Sequence, residues 1–379
     1  MSFDYPCTNS SAMNIYCPTL LLDEHKCKAN IKRMVDRSKS LDVRLIPHYK
    51  THQSITIGNW FTDLGVDAIT VSSIKMAEYF ALNGWKNISI AFPINILEIE
   101  RINKIIALGV DLTLLSVSSE SILELDDKII GRANILIEMD AGYNRTGVPL
   151  ASTEVINQIV TNVNASKNLK LYGLYCHPGN TYQSTSVDEI KLIWADAIKK
   201  LLKVKADLLV TNPDIKIRMG DTPGCTVVED MKGVDEIGPG NFVFNDLVMN
   251  YLNVCPEEQI AVVMACPVVA KNEARNEVVI HGGAVHFSKD HLFDSEENKF
   301  FGEVVILDEN GWSPIIDGIK LASISQEHGI LKANRKVFQS IEVGDVIGVL
   351  PIHSCLTANL MKSYLTLSGQ EINHLEKEF

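Results

Sequence analysis

Arg44-Leu45-Ile46-Pro47-His48-Tyr49-Lys50-Thr51-His52 ends an apolar run on a lysine set among histidines. The run reads as a strand, and a strand that finishes this way presents an amine to a cleft. Cationic neighbours and partial burial favour the neutral form of an amine, which can then form a Schiff base. A strand end with a solvated lysine is the plainer alternative.

Outward from this stretch, short β-branched runs alternate with longer amphipathic ones. The strand candidates are 43–48, 68–72, 87–92, 111–117, 134–140, 170–176, 215–220 and 234–238, with helical patterns at 73–83, 96–108, 153–163 and 187–208. Such βα alternation favours a parallel sheet. Eight repeats within about 200 residues is what a (β/α)8 TIM-type barrel requires. A doubly wound open sheet is the alternative, although the GxGxxG turn of its dinucleotide-binding form does not follow the first strand. Beyond position 256 the texture changes to runs at 260–263, 277–280, 301–306 and 346–350, separated by turns such as Asp308-Glu309-Asn310-Gly311-Trp312. This predicts a barrel over 20–255 and a predominantly β domain over 256–379; residues 1–19, which are not yet in the βα rhythm, are candidates to join the β domain.

Composition narrows the function classes. The chain has 379 residues, 46% of them hydrophobic and 22% charged, in keeping with an ordinary soluble globular protein. A formal charge of −12 without a basic stripe argues against nucleic acid or an anionic membrane and for a small-molecule ligand. The start, Met-Ser-Phe-Asp-Tyr-Pro, has neither a charged nor an apolar leader region, and no apolar run is long enough to span a bilayer, so a cytoplasmic protein is expected. Cys7, Cys17, Cys27, Cys176, Cys225, Cys255, Cys266 and Cys355 form no CxxC pair. They read as free thiols in a reducing compartment.

Barrel geometry gives the lysine a place. Lys50 falls just past the end of the first strand, on the face where barrel enzymes build their sites. His48 and His52 flank it. The same face collects Asp140, Asn144 and Arg145 after strand five, Tyr175 and His177 at strand six, and Gly220-Asp221-Thr222-Pro223-Gly224 after strand seven. Gly238-Pro239-Gly240-Asn241 follows strand eight. Small glycine-containing loops after strands seven and eight commonly bind phosphate, through backbone N–H groups and a threonine hydroxyl. A reactive lysine facing a phosphate cradle suggests pyridoxal phosphate. Each piece also has a structural reading as a turn, a hydrogen-bonded histidine or a surface ion pair, but their joint occurrence at five strand ends favours a site.

Several motifs carry a family resemblance: Pro47-His48-Tyr49-Lys50-Thr51-His52, Glu138-Met139-Asp140-Ala141-Gly142-Tyr143-Asn144-Arg145-Thr146-Gly147, Tyr175-Cys176-His177-Pro178-Gly179-Asn180-Thr181-Tyr182, Gln326-Glu327-His328-Gly329 and His353-Ser354-Cys355-Leu356-Thr357. They resemble the D-serine dehydratase and D-threonine aldolase group of alanine-racemase-like pyridoxal phosphate enzymes, from about residue 17 to 364. The resemblance implies a barrel followed by a β domain, assembled as a homodimer. It makes Lys50 the Schiff-base and catalytic lysine, and it matches Tyr175 and Tyr182 to tyrosines that contact the cofactor. It also matches the loop of Gly220, Asp221 and Thr222 to the family's phosphate-binding loop, while Gly240 and Asn241 join the cofactor residues on barrel geometry.

His353 and Cys355 match the two protein ligands of a divalent metal. Taken alone, one His-x-Cys is weak evidence for a metal, but imidazole with thiolate suits Zn²⁺. In the family the dehydratases tend to have His-x-Cys and the aldolases His-x-Asp, so Cys355 favours dehydration of D-serine or a related β-hydroxy D-amino acid. The alternatives are a D-threonine-type aldolase, another lyase or racemase of the group, and a non-catalytic pyridoxal phosphate carrier. Phe242, His281 and Lys75 depart from the family's usual tyrosine, aspartate and glutamate.

Overall fold

The computed structural model describes residues 14–375. They divide into two compact units, one of Ile31–Phe242 and one joining the segments before and after it.

The first unit is a closed barrel. Its eight parallel strands are Arg44–Leu45, Ile69–Val71, Asn87–Pro93, Asp111–Ser116, Ala133–Asp140, Leu169–Cys176, Lys216–Met219 and Glu236–Ile237. From the second onward each pairs with the next, the eighth pairs with the first through Glu236↔Arg44 and Ile237↔Leu45, and a parallel bridge between His48 and Thr70 joins the first to the second and closes the ring. An open sheet is therefore ruled out.

The first strand is shorter than the sequence reading of 43–48, and Pro47 is the reason. Arg44, Ile46 and His48 donate their N–H groups to the eighth strand and the residues flanking it. Pro47 falls on the opposite side of the ladder, where it has no N–H to give the second strand. Helices at Ile74–Leu82, Ile99–Ala107, Thr153–Ala165 and Val187–Leu208 cover the outside. Two of them open on serine caps, where Ser73 accepts the Met76 N–H at 3.2 Å and Ser186 that of Glu189 at 3.2 Å.

Inside the barrel lies a polar layer rather than an all-aliphatic one. Arg218 pairs with Glu236 at 2.7 Å and donates to Ser89 Oγ at 2.6 Å, while the Tyr172 hydroxyl donates to Glu236 at 2.5 Å. Packing these groups away from water is tolerable because each finds a partner.

The second unit is built on antiparallel strands. Glu277–His281, His328–Ala333, Ile319–Ile324, Gly302–Val305, Val346–Pro351 and Val262–Asn272 pair in that order, and the last returns to the first across a register shift at Val268/Ala270. Such a bulge bends the long strand so that it can serve both neighbours. Thr19–Leu22 adds to the same sheet, with Thr19 opposite Ala265, and Ser363–Thr366 and Glu371–Asn373 follow it. Residues 1–13 lie outside the described residues.

The units divide after Asn30 and Phe242 rather than at 20 and 255. Asp246, wholly buried, accepts the Ser354 N–H at 2.9 Å, which ties the residues after Phe242 to the β unit. Leu21, Val263, Ala265, Phe300, Val305 and Leu350 form part of that unit's core.

Candidate active site

The barrel unit fixes Lys50 by burying its neighbours. Tyr49 is wholly buried, donates its hydroxyl to the Gly58 carbonyl at 3.2 Å and lies edge-on to Phe80 and Trp85; Thr51 is buried as well. Lys50 between them is only half-buried. Its N–H is accepted by His48 Nδ1 at 3.3 Å. Burial, then the nearby charges of Lys50, His177 and Arg145, hold His48 well below the ordinary imidazole range. Burial likewise brings His177 down to about 3, against the pull of the Gly220 carbonyl to which its Nδ1–H donates. Both rings are therefore neutral near pH 7.

His52 corrects the sequence reading. It turns into an aromatic cluster, 4.4 Å from the Tyr49 ring and 5.9 Å from Phe61, and its Nδ1 accepts the Ser54 N–H at 3.2 Å. Arg145 lies 3.8 Å from Glu138 and over the Tyr143 ring, whereas Asp140 accepts the Gly142 and Asn144 N–H groups. Arg145 thus faces Glu138, and Asp140 shapes the turn.

The loop after strand seven has the features of an anion cradle. Thr222 Oγ1 is buried with no hydrogen-bond partner among the described residues, and its N–H donates to the Tyr182 hydroxyl at 3.2 Å. A buried hydroxyl left so costs about 1–3 kcal/mol, which a phosphate oxygen would recover. Asp221 is differently occupied. Its carboxylate accepts the Gly224 N–H at 2.5 Å and Trp194 Nε1–H at 2.6 Å, capping the turn Thr222–Val227, so it shapes the loop instead of facing an anion.

Glycines allow the close approach this needs. A Cβ at Gly224 would stand 1.7 Å from Trp194 Nε1, and one at Gly240 would stand 2.8 Å from the His48 carbonyl and 3.1 Å from Thr51 Oγ1. The loop after strand eight thus lies against the lysine turn, with Asn241 buried next along the chain. Phe242 packs on Phe61 at 6.1 Å. Tyr175 is buried against Leu115 and Leu136 in the barrel, and burial pushes its hydroxyl well up. The orphaned Thr222 hydroxyl and the half-buried Lys50 fit pyridoxal phosphate.

The β unit holds the second group. His353 precedes the helix Ser354–Met361, whose start carries buried Cys355. Burial alone would lower His353, but the Cys355 side chain and a hydrogen bond to Asp290 carry it up to about 11. Such a site favours positive charge. Imidazole and thiolate together fit a divalent cation of the zinc type. Asp246 pins the turn by accepting both the Ser354 N–H and its hydroxyl, at 2.9 and 3.3 Å.

Asp246 and Asp290 were missed in the sequence. Asp246 carries one local signal, standing as a helix cap before Leu247–Tyr251. Asp290 carries none.

One further cluster lies in this unit. His281, His286 and Glu327 bring one ligand atom each within 4.8 Å of one another. His286 Nδ1 accepts the Gly283 N–H at 3.1 Å, so its Nε2 bears the proton and faces Glu327 as a donor instead of offering a lone pair to a metal. Among the described residues no helix is long and apolar enough to cross a membrane, and the described cysteines are free thiols.

Comparison with known proteins agrees with this arrangement. The family described as "Alanine racemase, N-terminal domain" matches residues 22–246, and the "Putative serine dehydratase domain" matches 261–367. The chain is 27% identical to the D-serine dehydratase of Dictyostelium discoideum, across 95% of each. It is 26% identical to the D-threo-3-hydroxyaspartate dehydratase of Delftia sp. (strain HT23), across 93% of this chain and 94% of that one. The solved structure of the Delftia sp. HT23 enzyme superposes with a TM-score of 0.86 at 24% identity, covering 95% of this chain and 98% of its own. With the barrel matched by one family and the β unit by the other, the chain belongs to the alanine-racemase-like family, in the branch that bears a serine dehydratase domain.

Proposed function

We propose that this chain is a pyridoxal phosphate- and zinc-dependent dehydratase that converts D-serine or a related β-hydroxy D-amino acid to a 2-oxo acid and ammonia. The observation that carries the reading is the donor pair His353 and buried Cys355, set in a unit that matches the serine dehydratase domain. Two dehydratases spanning nearly the whole chain support it.

Lys50, Thr222, Tyr182, Gly240 and Asn241 would hold the cofactor, and His353 with Cys355 the metal. When bound, pyridoxal phosphate supplies an electron sink for the pair left at Cα. A divalent cation supplies Lewis acidity at the departing β-hydroxyl. Lys50 Nζ takes the Cα proton. His48 and His177, held neutral by burial, do not compete for it. One base on one face accounts for action on D-amino acids without racemisation, which needs a second base opposite. The aminoacrylate set free adds water and loses ammonia, so D-serine gives pyruvate. The cytoplasm and a homodimer are the proposed setting.

The test is to incubate purified protein with D-serine, D-threonine and D-threo-3-hydroxyaspartate, assaying 2-oxo acid, glycine and ammonia separately. Equimolar 2-oxo acid and ammonia without glycine is expected. Glycine with an aldehyde would make the protein an aldolase, and no product from any of them would overturn the enzyme reading.

A further inference from the structure

Ser288 follows the short helix Ala284–Phe287 and holds φ 72° with ψ −168°. That region is occupied essentially by glycine alone, and a side chain there is strained. The strain is held in place on both sides. Thr357, in the helix that carries Cys355, donates its hydroxyl to the Phe287 carbonyl at 3.4 Å, and the Ser288 N–H donates to the Ala284 carbonyl at 2.9 Å. A glycine would suit this backbone better, but it could not do what the serine does. Ser288 Oγ accepts the Asp290 N–H at 3.1 Å, which bends the chain so that Asp290 Oδ2 lies 3.0 Å from His353 Nδ1.

The chemistry of this contact is one-directional. An ionised carboxylate only accepts hydrogen bonds, so the proton on His353 Nδ1 stays on the side of Asp290, and Nε2 is the nitrogen whose proton a cation would displace. Metal-ligating histidines characteristically give their other N–H to such a partner, which fixes the tautomer and raises the basicity of the ligating nitrogen. His286 shows the contrast within the same unit, since its Nδ1 is the acceptor.

We infer that Asp290, aimed by the strained turn at Ser288, is a positioning residue that fixes His353 in the tautomer and orientation able to ligate a divalent cation. The inference rests on the reading that His353 and Cys355 hold that cation. Asp290 faces the nitrogen that does not ligate, so it acts through His353. Ser288 keeps its conformation because its hydroxyl is the hinge of the turn.

The experiment measures zinc affinity by competition with a chromophoric chelator, on full-length protein carrying its cofactor, together with the melting temperature of the metal-free forms. Wild type is compared with Cys355→Ala, Asp290→Ala, Asp290→Asn and Ser288→Gly. Asp290→Ala should weaken zinc 10–100-fold, and Asp290→Asn less, because an amide oxygen still accepts the Nδ1–H. Ser288→Gly should weaken zinc while melting at the same or a higher temperature, since glycine relieves the backbone. Opposite movement of affinity and stability is what a purely structural role cannot produce. Equal zinc affinity in wild type and Cys355→Ala would overturn the metal reading itself. Weak binding by Cys355→Ala beside wild-type binding by Asp290→Ala would overturn only the role of Asp290. Parallel loss of affinity and melting temperature in Ser288→Gly would assign the turn to the fold and overturn the inference equally.

Discussion

Trp194 Nε1 donates to Asp221 Oδ2 at 2.6 Å beneath the loop that follows the seventh barrel strand, and both side chains are buried. Burial raises the Asp221 carboxyl from 3.8 to about 7, although Gly224, Trp194 and Thr181 pull it down. The folded protein therefore keeps this proton to a higher pH than the unfolded chain does. Stability from the group is complete below about pH 4 and is lost as the pH rises through about 7, by at most about 4 kcal/mol. Asp221→Asn removes the titration. Urea unfolding at pH 5 and pH 8 should show wild type losing ground to the variant as pH rises. Wild type gaining ground would mean that Asp221 is ionised and stabilised in the fold.

Thr222 separates cofactor binding from stability. Its hydroxyl is buried without a hydrogen-bond partner among the described residues, so Thr222→Val should leave the melting temperature of cofactor-free protein unchanged or slightly raised. Affinity for pyridoxal phosphate, read by titration of its absorbance, should fall roughly tenfold or more. A large drop in stability with unaltered affinity would make this hydroxyl a structural group.

The buried pair Arg218 and Glu236 predicts a different pattern. Arg218→Met leaves buried Glu236 with only the partly exposed Arg44, 3.8 Å away, as a cationic neighbour, and should cost about 3 kcal/mol. Adding Glu236→Gln should recover most of that loss, because the poorly paired charge goes. Thermal melts of the single and double variants check this, and additive losses would contradict it.

The barrel was legible because its signals are local. Eight β-branched runs each end in turn residues, and a parallel strand buried on both faces needs no partner in view to be recognised. Pro47 shortened the first strand for a reason also written in the chain, but its effect depends on which neighbour each N–H faces. Lys50 and His353-Ser354-Cys355 stood out as compact motifs, whereas their supports lie far off. Asp290 is 63 residues before His353, and Asp246 is 108 before Ser354. Nothing in Phe287-Ser288-Lys289-Asp290 announces a strained turn, since the strain arises only once the flanking helix is held. The surroundings of His52 are hidden for a related reason. It sits in a site motif, but beside Tyr49 the rings around it, Phe61 and Phe80, come from two later segments.

Removing the metal should affect turnover and spare the cofactor. Chelator-treated protein, and Cys355→Ala, should lose conversion of D-serine while the cofactor absorbance stays in place, because the groups proposed for each lie in different units. Zinc should restore the first and not the second. Full D-serine turnover by exhaustively metal-free protein would make Cys355 a packed thiol only.

The role of Lys50 is the claim on which the rest depends, and peptide mapping reads it directly. Protein loaded with pyridoxal phosphate is reduced with borohydride, digested and analysed by mass spectrometry. The account predicts the pyridoxyl mass on the peptide containing Lys50, and none after Lys50→Ala. The same mass on another lysine, or on no peptide, would contradict it.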